Sequence, residues 1–326
     1  MKHDKVMQDR AWRWLLGLVA AGLGIVGLAG AAWAAPAAEA KAKSDPKAWK
    51  LQTRPANPTT CPIGPRSAKV RPWQAIFRGI DYAMAETDTP RPLKVHAARI
   101  DLREPTISFF VTPSNGKPGE ADAEKATTFL RKYRCQLAIN ATPWDRLVKE
   151  EGQPVRLTGL SMSRGDCYSP PAPDTYGSLL ISKDNKAWIA QPPVSTKGAY
   201  NGVGGFRMLL WRGRNVAWDD FLQPRTAAGV SKDGRYLYLV VIDGRQKGYS
   251  EGVTTGEEAE WMRMFGAYDA LNLDGGGSSV MVIDDGQGGA KVLNRPIEAG
   301  VPGRERITAN HLGVYAKPVE GAASRP

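Results

Sequence analysis

Asp274 opens a run of three glycines and two serines, Asp274-Gly275-Gly276-Gly277-Ser278-Ser279, set between apolar segments. Consecutive glycines let the backbone take conformations closed to other residues and let a ligand approach main-chain N–H groups closely. Successive N–H groups from Gly275 to Ser278 could form an anion-binding nest, and a carboxylate beside it would stand next to an anionic substrate as an acid, base or electrostatic group. No helix-forming run and no lysine follow the glycines, which excludes a nucleotide P-loop. Asp274 is expected at a strand end, with a new strand beginning near Val280. The bland reading is a tight β-turn with a charged tip.

Three other segments place polar groups at the ends of apolar runs. Leu237 to Ile242 ends in Asp243-Gly244-Arg245, Arg225 precedes the run Thr226 to Val230, and Asn140 closes Gln136 to Ile139. Polar groups at strand ends commonly converge on one rim, where ligands sit. Each alone has an ordinary explanation: a local ion pair in a turn, a surface arginine, an asparagine capping a loop.

The elements that must position these groups are mostly strands. Residues 94–102, 107–113 and 136–140 are strand candidates. Hairpins are expected over 179–190, 208–218, 229–243 and 280–293, each with Gly, Asp or Asn at the turn. Two helices interrupt them. The first is predicted from Asp122 to Tyr133, with Ala123, Ala126, Phe129, Leu130 and Tyr133 on one face. The second starts with a capping box of Thr255 and Glu258 and stops at Gly266. The resulting fold class is α+β: a strand-rich mixed sheet with several hairpins and a few flanking helices, in a single domain.

The chain has 326 residues and a formal charge of +11. Four basic residues, an apolar run from Leu15 to Ala32 and the small-x-small triplet Ala32-Trp33-Ala34 read as a secretory signal over residues 1–34, cut before Ala35. The competing reading is an uncleaved membrane anchor. Removal of that segment leaves a formal +9. The chain is thus expected to be exported, to the periplasm or outside the cell, with a flexible linker over 35–60 and a frayed tail over 317–326. Its charge suits an anionic glycan, a sugar phosphate or an anionic envelope surface. Nucleic acid is disfavoured, since no Lys/Arg stripe with interleaved aromatics occurs.

Cys61, Cys135 and Cys167 suggest one disulfide and one free thiol in an oxidising compartment, with Cys135 equally readable as a buried thiol. His3, His96 and His311 form no ligand cluster, and His96 reads as a half-buried strand residue. No cofactor is predicted. Asp284 and Asp285 could offer oxygens to a divalent cation, but a plain hairpin turn accounts for them as well.

Taken together and in this order, the segments resemble the phosphodiester glycosidase family, related to the lysosomal uncovering enzyme that removes N-acetylglucosamine from its phosphodiester link to mannose. The resemblance runs from about residue 95 to 316 and is carried by PRTAAGVSKDGRYLYLVVIDGR, by the 250–283 segment with LNLDGGGSS, and by RERITANHLGVY. Where the family usually follows the first Asn with Gly-Gly-Phe-Phe, this chain has Ala141-Thr142-Pro143-Trp144, which alters the local shape of the pocket. The resemblance implies hydrolysis of a glycosyl phosphodiester. Phosphate leaves as a stable anion and needs little protonation, so the demands are to clamp phosphate, support an oxocarbenium-like carbon and activate water. Arg225 and Arg245 would clamp phosphate through planar forks, with backbone donors from Gly275, Gly276, Gly277 and Ser278. Asp243 or Asp274 would be base or nucleophile. Asn140 and Asn310 would orient by hydrogen bonds. A glycan hydrolase of the envelope or exopolysaccharide is the first expectation, and a non-catalytic glycan- or phosphate-binding protein of exopolysaccharide assembly the second.

Overall fold

A computed structural model describes residues 67–172, 176–219 and 221–319. The signal or anchor segment, the linker, Cys61 and the last seven residues lie outside them. All the described residues belong to one compact unit.

Alternating and continuous apolar runs become strands, which sort into three larger sheets whose pairings are all antiparallel. The nine-stranded sheet has Ile80–Thr87, Leu93–Asp101, Tyr236–Ile242, Arg225–Val230, Asp269–Asn272 and Met208–Trp211 as successive neighbours. A five-stranded sheet is centred on Leu137–Asn140, between Met281–Asp284 and His311–Tyr315, and another contains Ser161–Ser163, Asn201–Gly204 and Ser178–Ile181. The strand-rich α+β class holds. Its strands divide among several sheets, and no parallel pair occurs among the described strands.

The central core lies where the three sheets face one another, with Ile100, Leu239, Ile139, Leu312, Leu179 and Val203 fully buried together. Leu237, Leu239 and Val241 point into that core, whereas Tyr238, Val240 and Ile242 point to the opposite face. Burial on both faces explains why this stretch is apolar without alternation. The opposite face is covered by the helix Thr255–Phe265 through Ala259, Trp261, Met262 and Phe265. Full burial of such side chains is worth roughly 1.5–3 kcal/mol each. The helix Ala126–Tyr133 covers the five-stranded sheet with Phe129 and Leu130.

The four expected hairpins all form. Both helices start differently from expectation. Residues Glu120–Asp122 are a short strand paired with Pro154–Arg156, so the first helix begins at Ala126 with Lys125 as its N-cap. The second helix is capped by Thr254, whose side chain accepts the N–H of Glu257 while the Glu257 carboxylate accepts that of Thr254; the box lies one residue earlier than Thr255–Glu258. Gly266 ends it at φ +112°, as a C-terminal stop requires. Lys317, expected in the frayed tail, has its carbonyl held by Arg78 N–H at 2.9 Å. No helix of the described residues is long and apolar enough to cross a membrane.

Candidate active site

Arg225 pairs across with Ile242, the residue before Asp243, and Ala227 pairs with Asn272, two residues before Asp274. Three neighbouring antiparallel strands therefore end on one rim, and the expected convergence is found. The glycine run is the crossover by which the chain leaves the nine-stranded sheet at Asn272 and joins the five-stranded sheet at Met281.

Asp274 stands between two hollows. One, of about 360 Å³, is bounded by Arg225, Arg245, Gln223, Tyr176, Phe206 and the backbone of Gly275–Gly276. The other, of about 170 Å³, is bounded by Trp144, Asp145, Arg146, Leu147, Ser278 and Arg306. Asp274 belongs to both walls. Its Oδ2 is buried with no hydrogen-bond partner. Burial raises its carboxyl from the ordinary 3.8 to about 6, against the opposing pull of the Ser278 hydroxyl, the Arg306 charge and the Gly275 N–H. A carboxylate shifted this way by its surroundings is characteristic of acid/base work near neutral pH.

The two arginines differ in how much of their capacity is already engaged. Arg225 donates to Asp219 Oδ1 at 2.8 Å, to Phe221 O at 2.9 Å and to Val253 O at 3.3 Å. It shapes the wall more than it offers free donors. Arg245, in a left-handed conformation at φ +59°, donates from Nε to Gln223 Oε1 at 2.7 Å. Burial, then the neighbouring Arg306 and Arg225 charges, lower its proton affinity, with Glu298 opposing. Such crowded positive charge favours an entering anion. A Cβ on Gly276, itself at φ +65°, would stand 3.0 Å from Arg245 Nη2, so the glycine lets the guanidinium lie on the turn.

Of the nest expected over Gly275–Ser278, three N–H groups are already engaged within the protein. Gly276 N–H is taken by Pro224 O at 2.8 Å, Ser278 N–H by Gly275 O at 3.3 Å, and Gly275 N–H by the Asp274 carboxylate. Residues Gly276–Ser278 instead make one turn of 3-10 helix. Gly277 packs against the Arg306–Glu298 ion pair, where a Cβ would collide with both side chains.

Asp243 is at the rim but does not line either hollow. It is 1% exposed, and its oxygens accept Asn294 Nδ2 at 2.9 Å and Arg295 N–H at 3.0 and 3.1 Å. His96 Nε2 lies 3.5 Å from Asp243 Oδ2, while His96 Nδ1 meets Tyr82 Oη at 2.8 Å. His96 is therefore a fully buried strand residue. Asn140 is also sequestered: its Nδ2 donates to Asp274 O at 2.5 Å, and its Oδ1 accepts the Thr226 hydroxyl at 2.9 Å and Val280 N–H at 3.1 Å. Asn310 donates to Ser161 Oγ at 2.8 Å and accepts Thr142 N–H at 3.2 Å. Both asparagines organise the backbone under the site and touch neither hollow.

Sequence reasoning passed over Asp219, Gln223 and Arg306, took Trp144 only as part of the altered 141–144 segment, and gave a chemical role to none of them or to Glu258. The last is a fully buried carboxyl held well above the ordinary range by burial, with Arg225 opposing and Asp219 adding to the shift. With its amide oriented to satisfy both neighbours, Asn272 donates to Glu258 Oε2 at 3.1 Å. The signals were faint: Asp219 and Gln223 sit in a segment without periodicity, and Glu258 looks like a helix-start acid. Among the described residues, no three His, Cys, Asp or Glu side chains converge as a metal site requires. Asp284 and Asp285 accept N–H bonds from Gly286, Gln287 and Gly289 and close their hairpin. Cys135, buried, and Cys167, exposed, are not bonded to each other, and the expected disulfide to Cys61 lies outside the described residues. Burial pushes the Cys135 thiol up to about 12.

This rim, with its arginines and poised carboxylate at the glycine crossover, is built from segments that the phosphodiester glycosidase family matches over residues 133–315. The chain belongs to that family. It is 23% identical over 231 residues to the SPbeta prophage-derived uncharacterized protein YomE of Bacillus subtilis, which covers 63% of this chain and 33% of that protein. This chain thus spans about a third of that relative's length. Among solved structures it is similar to the zebrafish N-acetylglucosamine-1-phosphodiester alpha-N-acetylglucosaminidase catalytic domain auto-inhibited by its pro-peptide (TM-score 0.57, 18% identity, 77% of this chain and 88% of that one). It is also similar to a hypothetical protein from Synechocystis (0.54, 16%, 76% and 64%) and a putative exported protein from Burkholderia pseudomallei (0.52, 13%, 79% and 98%). At these identities the likeness is one of fold.

Proposed function

We propose that the chain is an exported hydrolase that cleaves a glycosyl phosphodiester at the anomeric carbon, in a glycan of the envelope or exopolysaccharide. The observation that carries this reading is Asp274, its carboxyl raised to about 6, set between the arginine hollow and the Trp144 hollow. Phosphate rests against Arg245, with Arg225 holding the wall, and the sugar ring extends past Asp274 towards Trp144. The bond broken joins the anomeric carbon to phosphate oxygen, and the departing phosphomonoester keeps the electron pair. Arg245 offsets its charge without a proton transfer. Ionised Asp274 either takes a proton from the attacking water or attacks the carbon itself. Asp243, screened by Asn294 and Arg295, positions the rim and stays out of the chemistry.

The second reading, a non-catalytic glycan- or phosphate-binding protein on the same fold, draws on the existing Arg225–Asp219 pair and on the Ala141–Trp144 segment. Release of reducing sugar from a panel of sugar-1-phosphodiesters separates the two. The hydrolase liberates free sugar and a phosphomonoester; the binding protein retains ligand without liberating either.

A further inference from the structure

The helix Thr255–Phe265 carries a carboxyl where its buried stripe calls for an apolar side chain. Glu258, Met262 and Phe265 recur at intervals of four and three, so all three face the nine-stranded sheet. Glu258 is 0% exposed. Opposite it, Ala270 and Asn272 alternate onto the side of their strand that the helix covers, while Leu271 and Leu273 point into the central core. In the orientation that satisfies its neighbours, the Asn272 amide donates to Glu258 Oε2 at 3.1 Å and to Leu273 O at 3.3 Å, which leaves its oxygen facing donors. Asn272 is also part of the wall of the arginine hollow, with Arg225, Arg245 and Asp274. Glu258 does not line that hollow and reaches it through Asn272.

We infer that Glu258 is a positioning residue of the arginine hollow, taking that hollow as the phosphate site of the proposed reaction: it fixes the Asn272 amide from behind the sheet, and so sets the wall against which the phosphate group rests. An apolar side chain would cover the sheet as well, and a buried carboxyl is costly unless hydrogen bonds satisfy it. This one directs its bond to a residue that lines the hollow. The charged groups that act on it are Arg225 and Asp219, themselves paired at 2.8 Å. Burial holds the Glu258 carboxyl well above the ordinary range, with Arg225 opposing and Asp219 adding to the rise, so the fold favours the uncharged acid. That form suits an anion site. Asp219 already offsets Arg225, and an ionised Glu258 would add a second carboxylate behind the same wall and weaken the field that draws phosphate. The uncharged acid fixes Asn272 without that loss.

Calorimetric titration of the full-length protein with sulfate, a dianion throughout the working pH range, reads the hollow without turnover. The binding that counts is the part that Arg245→Ala removes, measured well below each variant's melting temperature. Glu258→Leu should weaken it about tenfold and raise KM for a sugar-1-phosphodiester by a similar factor, with kcat changed less than about threefold. Glu258→Gln keeps an uncharged acceptor for the Asn272 amide and should hold both within about twofold of the wild type. Asn272→Ala should weaken sulfate binding as Glu258→Leu does, and the double variant no further, since the two residues act as one unit. Glu258→Met repeats the comparison should Glu258→Leu not fold. Wild-type sulfate affinity in folded Glu258→Leu or Glu258→Met overturns the proposal. So do additive losses in the double variant, a loss in Glu258→Gln equal to that in Glu258→Leu, or a wild type without sulfate binding dependent on Arg245. A chain that binds sulfate in the expected pattern but releases no sugar would remove the hydrolase reading alone and leave the role of Glu258 in place.

Discussion

Asn140 and Asp274, 134 residues apart, are joined by a 2.5 Å hydrogen bond from the Asn140 amide to the Asp274 carbonyl. The other end of the same amide accepts Val280 N–H and the Thr226 hydroxyl, so one buried side chain spans the glycine crossover and ties two sheets together. Asn140→Ala leaves a buried carbonyl and a buried N–H without partners, at about 1–3 kcal/mol each. The melting temperature should drop by several degrees, and activity per folded molecule should fall as the Asp274 carboxylate loses its setting. Calorimetry and turnover measured on the same preparation check both.

Arginine-to-lysine exchange should split the two phosphate candidates. Arg225 makes three local bonds that a lysine cannot reproduce, so Arg225→Lys should lower both stability and kcat/KM. Arg245 makes one bond to Gln223 and lies in the hollow. Arg245→Lys should leave the melting temperature within about 2 °C and reduce kcat/KM roughly 10- to 100-fold. Equal thermal losses in both variants would show that Arg245 is structural.

The raised carboxyl of Asp274 couples folding to pH. Its folded value, about 6, lies above the ordinary 3.8. The fold therefore favours the protonated form, and the contribution of Asp274 to stability is fully present below about pH 3.8 and is lost as pH rises through about 6. Asp274→Asn should match the stability of the wild type at about pH 3.5 and exceed it at about pH 8, by up to about 3 kcal/mol. A variant less stable than the wild type at pH 8 would contradict the burial argument.

Gly277 packs against Arg306 and Glu298. Gly277→Ala should displace that pair and remove the Arg306 charge that opposes the rise in Asp274. The acid limb of the pH–rate profile should then move upward, a shift that simple loss of stability would not produce.

Much of this fold was readable because its strands carry one- or two-sided apolar patterns and its hairpins carry turn residues. The first helix starts late because Glu120–Asp122 finds a strand partner some thirty residues on, at Pro154–Arg156, and no local pattern encodes that pairing. The rim was legible from Arg225, Arg245 and Asp274, all at strand ends. The engagement of the Gly276 N–H was not, because its acceptor, Pro224 O, comes from a distant part of the chain. Asp243 looks equivalent to Asp274 in sequence, yet Asn294 and Arg295 enclose it. Trp144 becomes part of the site only because its segment folds back over Asp274.

The most direct measurement compares wild type with Asp274→Asn in sugar release from a sugar-1-phosphodiester and in binding of the same compound. The account predicts that turnover falls about 10²- to 10⁴-fold while binding is retained, and that wild-type kcat/KM declines below about pH 6 as Asp274 takes up its proton. Turnover in Asp274→Asn close to that of the wild type would contradict it and return Asp243 as the carboxylate to test.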